Sequence, residues 1–178
     1  MELKFSRGKL RRVLPSDKPA LLKYANNVRI AQNMTNLFPY PYTSESADEW
    51  IALNQQLPQP LRQFAIDIDG ELVGATGLHT QPDVRIRGVE MGYWLAEHLW
   101  GQGIVTEVAK LMTEYAFETF DYIRVQAVVY GYNPASMRVL EKAGFVKEGI
   151  LRKSIFKFNV LTDAHVFARI NPNYEDGV

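Results

Sequence analysis

The residues best suited to chemistry lie in one run: Glu90-Met91-Gly92-Tyr93-Trp94-Leu95-Ala96-Glu97-His98-Leu99-Trp100-Gly101-Gln102-Gly103-Ile104-Val105-Thr106-Glu107. Its first part reads as a strand, its glycines as a turn, and the apolar spacing from Ile104 as a helix. The first turn of such a helix carries unpaired backbone N–H groups at the positive end of the macrodipole. Gly101 and Gly103 let an anion approach the backbone closely. The arrangement suits a phosphate or pyrophosphate. A bare G-x-G is also an ordinary strand-to-helix turn that binds nothing, so the flanking residues must decide.

Two familiar phosphate turns do not fit. A Walker A loop needs Gly-Lys-Ser/Thr, and none follows here. A dinucleotide fingerprint needs a third glycine at position 106, where the chain has Thr106.

Glu90 precedes the turn on the strand. Alternation places Glu90, Gly92 and Trp94 on one face and Met91, Tyr93 and Leu95 on the other. A carboxylate there can take a proton from an ammonium, directly or through water. The plainer alternative is a surface carboxylate paired with Arg85 or Arg87. Gly92 within a strand signals a bulge or a close approach by a ligand. His79 is a second candidate base. His79, His98 and His165 are too far apart in sequence for a local metal motif, and surface or hydrogen-bonded roles are the default for each. No metal is expected. Phe38, Tyr40, Tyr42 and Trp50 read first as core or loop packing.

These side chains need a scaffold, and the rest of the chain outlines one. It has 178 residues, enough for a single domain over 1–178 with a real core. Basic and acidic residues number 20 each, so the net charge is zero, which argues against nucleic acid as a main partner. There is no cysteine, which removes disulfides, thiolate ligands and a cysteine nucleophile. No signal peptide and no membrane span is read, so a cytoplasmic address is expected. Six basic residues fall by Lys18, including Arg7, and read as a solvated edge strand and loop.

A short first strand is expected over 10–14, then a helix from Pro15-Ser16-Asp17 onward. Pro39 and Pro41 make 36–43 a helix-breaking aromatic loop, and a helix follows over 46–57. Asp69-Gly70 between two apolar runs marks a hairpin. A strand over 88–95, a helix from Ile104, a strand over 123–129 and a short helix over 134–143 come next. Strands at 150–158 and 164–170 close the chain. Asn133-Pro134 is an N-cap followed by N1, and Gly144 is the matching residue past the C-terminus. Ser136 falls near N3, where a capping or solvated hydroxyl is common.

Four ordered motifs extend these readings. They are Phe38-Pro39-Tyr40-Pro41-Tyr42-Thr43 with Ala47 and Trp50-Ile51; Gly92-Tyr93-Trp94-Leu95; Trp100-Gly101-Gln102-Gly103-Ile104-Val105-Thr106-Glu107; and Asn133-Pro134-Ala135-Ser136 with Val139-Leu140-Glu141-Lys142-Ala143-Gly144-Phe145. Together they resemble the RimJ/RimL-type branch of the GNAT superfamily of N-acetyltransferases over nearly the whole length. The glycine turn is similar to that family's acyl-CoA turn, Q/R-x-x-G-x-G/A, with His98 standing where Gln or Arg is usual.

The resemblance implies an α/β fold of mixed character: a mostly antiparallel sheet of about seven strands, a splayed central pair and flanking helices. It implies acetyl-CoA as co-substrate and direct transfer to a primary amine, such as a protein N-terminus, polyamine, amino acid or amino sugar. A non-catalytic acyl-CoA-binding module is the alternative. Backbone at Trp94, Leu95 and Ala96 would pair with the pantetheine amides, and Gly101, Gln102, Gly103, Ile104, Val105 and Thr106 would hold the pyrophosphate. Asn133 would meet the pantetheine arm as readily as cap its helix. Lys142 would approach the adenosine end, and Ser136 would lie near the sulfur as proton donor. Many relatives use a tyrosine further along that helix, where this chain has Leu140, Glu141 and Lys142. Such a transfer needs a base for the amine proton, and Glu90, His79 or a water relay are the candidates read from the residues. Phe38, Tyr40, Tyr42 and Trp50 would border the acceptor. A homodimer is the expected assembly.

Overall fold

A computed structural model describes residues 2–174. The chain forms two compact units, one holding residues up to Gly77 together with Tyr93–Val108, the other Leu78–Gly92 with the chain from Ala109 onward.

The first unit begins with a hairpin, β1 (Leu3–Phe5) and β2 (Gly8–Arg11), turning at Ser6 and Arg7. Strand β2 pairs antiparallel with β3 (Gln63–Ile68), and β3 with β4 (Glu71–Thr80). Asp69 and Gly70 have positive φ, 54° and 86°. The expected Asp-Gly hairpin therefore forms. The three helices α1 (Lys18–Tyr24), α2 (Val28–Ala31) and α3 (Ser44–Gln55) precede β3. Leu21, Ile30, Ala47 and Ile51 from these helices bury against Ala65, Leu72 and Ala75 of the sheet.

Two elements of this unit differ in their bounds from the sequence reading for identifiable reasons. The strand expected over 10–14 forms as β2, Gly8–Arg11, with β1 ahead of it. The Leu14 N–H donates to the Asp17 carboxylate at 2.8 Å instead of to a neighbouring strand. The Arg11 guanidinium turns inward and donates to Asp17 at 2.8 Å and Asp67 at 2.6 Å. Helix α3 starts at Ser44 rather than Ser46. The Thr43 hydroxyl accepts from the Ser46 N–H at 3.2 Å and caps the helix there. The helix stops at Gln55, ahead of Pro58, since a residue before proline disfavours helical backbone. The short helix α2 is absent from the sequence reading.

In the second unit β5 (Gly88–Leu95) supplies its first residues, with the bounds read from the sequence. They pair in parallel with β6 (Arg124–Tyr130) over Gly88↔Arg124, Val89↔Val125 and Glu90↔Gln126. A parallel pair needs a crossover, provided here by α4 (Ile104–Phe120). The β5–β6 ladder ends at Glu90 and Gln126, well short of the end of β6. Strand β6 alternates buried and half-buried residues along its length, as a period of two requires. After β6 comes α5 (Pro134–Lys142), then β7 (Val146–Lys157) and β8 (Val160–Ile170). Strand β8 lies antiparallel between β6 and β7. The closing strands are longer than the sequence suggests. Phe158 and Asn159 take positive φ, 48° and 62°, and turn the chain in two residues.

The described residues thus hold eight strands rather than about seven, β1 being the addition, in a mixed and mostly antiparallel α/β arrangement. Among them no helix is long and apolar enough to cross a membrane.

Candidate active site

In the first unit β5 ends in Trp94 and Leu95, followed by Ala96, all buried. The Ala96 N–H donates to the Val73 carbonyl at 2.8 Å. The Leu95 carbonyl accepts from the Trp100 indole N–H at 2.8 Å. Two of the backbone groups expected to meet a pantetheine arm therefore already have partners within the protein. The turn follows, with Gly101 at φ +75° and Gly103 at φ +82°, and α4 opens at Ile104. A Cβ on either glycine would meet nothing within 4 Å, so the space above the turn is open. Ile104 is buried and anchors the helix, whereas Gly101, Gln102 and Gly103 are exposed.

Side chains from distant elements brace this turn. Glu97 accepts from Asn27 at 2.8 Å and pairs with Arg29, whose guanidinium also lies 5.3 Å from the Trp100 ring. His98 stacks on Tyr24 with centroids 5.3 Å apart. The Gln102 amide donates to the His98 carbonyl at 3.1 Å and accepts from Arg7. Ser6 donates to both Glu107 oxygens, at 2.9 and 2.8 Å. The basic N-terminal segment, read from sequence as a solvated edge and loop, is therefore attached to the glycine turn.

The aromatic segment divides. Tyr42 is core, and burial pushes its phenol up to about 12. Phe38 packs on Tyr42 and edge-on to Trp94, at 5.4 and 5.9 Å. Trp50 is partly buried against the same core. Tyr40 is exposed.

In the second unit Glu90 is half-buried, and its carboxylate accepts from the Gln126 side-chain N–H at 3.0 Å. Gln126 in turn accepts from Arg124 Nε at 3.4 Å, and Arg124 Nη1 donates to Glu148 at 2.7 Å. Arg87, one of the cations considered for Glu90, pairs instead with Asp121 at 3.1 Å. His79 lies beside Gly92, where a Cβ would meet its Nε2 at 3.5 Å. His165, expected at the surface or hydrogen-bonded, has its Nδ1 buried with no partner among the described residues.

The sequence reading omits Tyr130 and Tyr132. Their rings meet edge to face at 6.0 Å. Burial and the Glu90 charge both raise the Tyr130 phenol, and burial and Tyr130 raise Tyr132. A signal for Tyr130 exists in the sequence: Gln126, Val128 and Tyr130 share a face of β6 by simple alternation.

Asn133 caps α5, its Oδ1 accepting the Ser136 N–H at 3.1 Å, and Gly144 follows the helix at φ +87°. Ser136 is the N3 residue, as expected. Lys142 borders an open depression with Lys110, Glu114 and Arg169, and Glu114 pairs with Arg169 at 2.6 Å. Among the described residues no cluster of three His, Asp or Glu side chains could hold a metal ion.

With this geometry in view, three comparisons bear on the chain. The family model described as acetyltransferase (GNAT) domain matches residues 7–146. The probable N-acetyltransferase YjcK of Bacillus subtilis is 40% identical over 107 residues, covering 60% of this chain and 59% of that protein. The chain thus matches less than two thirds of that relative's length. The solved structure of RimL, a ribosomal L7/L12 α-N-protein acetyltransferase in complex with coenzyme A, superposes with a TM-score of 0.82 at 24% identity, covering 96% of this chain and 98% of the other.

Proposed function

The chain belongs to the GNAT acetyltransferase family, and on that premise we propose that it transfers the acetyl group of acetyl-CoA directly to a primary amine. The observation that carries this reading is the end of β5 with its turn. Two positive-φ glycines under open space lead into a helix of 17 residues. Backbone N–H groups in that position suit a pyrophosphate. We read 1–178 as one GNAT-type domain, because the family match runs through both units.

In this reading Gly101, Gln102, Gly103, Ile104, Val105 and Thr106 hold the pyrophosphate. Backbone at Trp94 and Leu95 lines the pantetheine arm, and Ala96 shapes it with its own N–H held by Val73. Asn133, Ser136 and Lys142 take the further cofactor contacts. Phe38, Tyr40 and Trp50 border the acceptor, and Tyr42 holds Phe38 in place from the core. The amine nitrogen attacks the thioester carbonyl carbon, a C–N bond forms and the C–S bond breaks. Glu90, with His79 or a water relay as the alternative, takes the amine proton and releases it to solvent; Ser136 hydrogen-bonds the departing thiolate and relays to it a proton that its hydroxyl regains from solvent. A thiol of ordinary pKa, about 8.5, needs only a weak donor to leave. A backbone N–H near Leu95 steadies the oxyanion.

The test is release of CoA thiol across a panel of N-terminal peptides, polyamines, amino acids and amino sugars. Turnover with one class identifies the acceptor. Tight acetyl-CoA binding with no turnover on any amine would replace this reading with a non-catalytic binding module.

A further inference from the structure

We propose that Arg7, at the tip of the β1–β2 hairpin, binds a phosphate group of the acyl-CoA and sets the preference for the phosphorylated thioester. This rests on the reading of the glycine turn as a pyrophosphate turn. The hairpin tip is two residues long, closed by Phe5↔Gly8, and both tip residues contact the turn or the helix behind it. Arg7 Nη1 donates to the side-chain oxygen of Gln102, the residue between the two glycines. Ser6 donates through backbone and hydroxyl to the two oxygens of Glu107.

Charge bookkeeping around the turn singles out Arg7. Two arginines from other elements reach it. Arg29 is neutralised by Glu97 and lies over Trp100. Arg7 is exposed, and among the described residues its guanidinium has no carboxylate partner. It rests on a neutral amide whose other end is held by the His98 carbonyl. A guanidinium is a fork of five donors suited to a phosphate, and a neutral amide uses little of it. The same hairpin is tied to the first turn of α4, where Ser6 donates to both oxygens of Glu107. Arg7 therefore exchanges the Gln102 amide for a phosphate oxygen when the thioester arrives, with the hairpin itself staying in place through Ser6.

The experiment compares wild type, Arg7→Gln and Arg7→Lys by calorimetric titration with CoA, 3′-dephospho-CoA and S-acetylpantetheine, which has no phosphate. Arg7→Gln is expected to weaken CoA about tenfold, Arg7→Lys less, and neither to change S-acetylpantetheine. Loss with CoA but not with 3′-dephospho-CoA places the contact on the 3′-phosphate; loss with both places it on the pyrophosphate. Equal weakening of all three ligands would overturn the proposal, making Arg7 a brace for the turn. Unchanged CoA affinity in Arg7→Gln, with wild type still preferring CoA to S-acetylpantetheine, would also overturn it and leave the turn reading intact. A wild type that binds CoA no more tightly than S-acetylpantetheine would remove the turn reading itself.

Discussion

Gln126 of β6 donates its side-chain amide to the Glu90 carboxylate of β5 at 3.0 Å, and the two residues are register partners in the parallel ladder. Arg124 fixes which way the amide points, because its Nε donates to the Gln126 oxygen and leaves the N–H group for Glu90. Arg124 is itself held by Glu148. The candidate base is thus oriented by a neutral donor and not by a cation.

This arrangement predicts a kinetic hierarchy. Glu90→Gln should lower kcat by roughly a hundredfold or more, the usual range for a general base. Gln126→Leu should lower kcat about tenfold with the KM for acetyl-CoA unchanged. The double variant should be no slower than Glu90→Gln alone, since Gln126 acts through Glu90. Additive losses in steady-state kinetics would show that Gln126 acts elsewhere.

Gly103→Ala should separate stability from binding. The new Cβ has nothing within 4 Å, so the positive φ alone sets the cost to folding. That cost is about 1 kcal/mol. The methyl group would project into the open space assigned to the pyrophosphate. A loss of CoA affinity of more than about tenfold, beside a small fall in Tm, is expected. Unchanged affinity would remove the turn from the proposed site.

Asn133 has a cap role in the structure and a proposed ligand contact. Asn133→Ala should cost about 1 kcal/mol in denaturant unfolding, and Asn133→Asp should restore most of it, since aspartate caps equally well. If the side-chain amide also meets the pantetheine arm, Asn133→Asp will bind acetyl-CoA several-fold more weakly despite normal stability. Wild-type affinity in that variant would leave Asn133 a cap only.

Tyr42 makes a pH prediction with a definite sign. Its phenol is held neutral by burial, up to about 12 against an ordinary 10.0. The unfolded chain ionises first, so the stability linked to this group is complete below about pH 10 and is lost as the pH climbs toward about 12. The greatest possible loss is on the order of 3 kcal/mol. Wild type should lose stability relative to Tyr42→Phe across that interval in denaturant titrations. A difference independent of pH would mean that the phenol ionises freely in the folded protein.

Arg11 tests the foundation of the first unit. It is buried with Asp17 and Asp67, and the pair of carboxylates holds it firmly protonated. Arg11→Met leaves two carboxylates buried without a cation, so unfolding free energy should fall by about 3–5 kcal/mol. A loss below about 1 kcal/mol would show that water replaces the guanidinium.

Local signals decided much of this protein from sequence alone. The strand over 88–95, the Asp69-Gly70 hairpin, the positive-φ glycines at 101 and 103 and the Asn133–Gly144 boundaries of α5 all follow from period, capping and backbone permissiveness within a few residues. The same short-range chemistry made the family resemblance legible. What only the tertiary structure decided are the partners. Arg7 reaches Gln102 across 95 residues and Gln126 reaches Glu90 across 36. Period and propensity state which face a residue occupies, but not which strand lies beside it or in what register. That choice is made when whole elements bury their apolar faces together, and it set the tip of the exposed edge hairpin, Ser6 and Arg7, against the glycine turn and its helix.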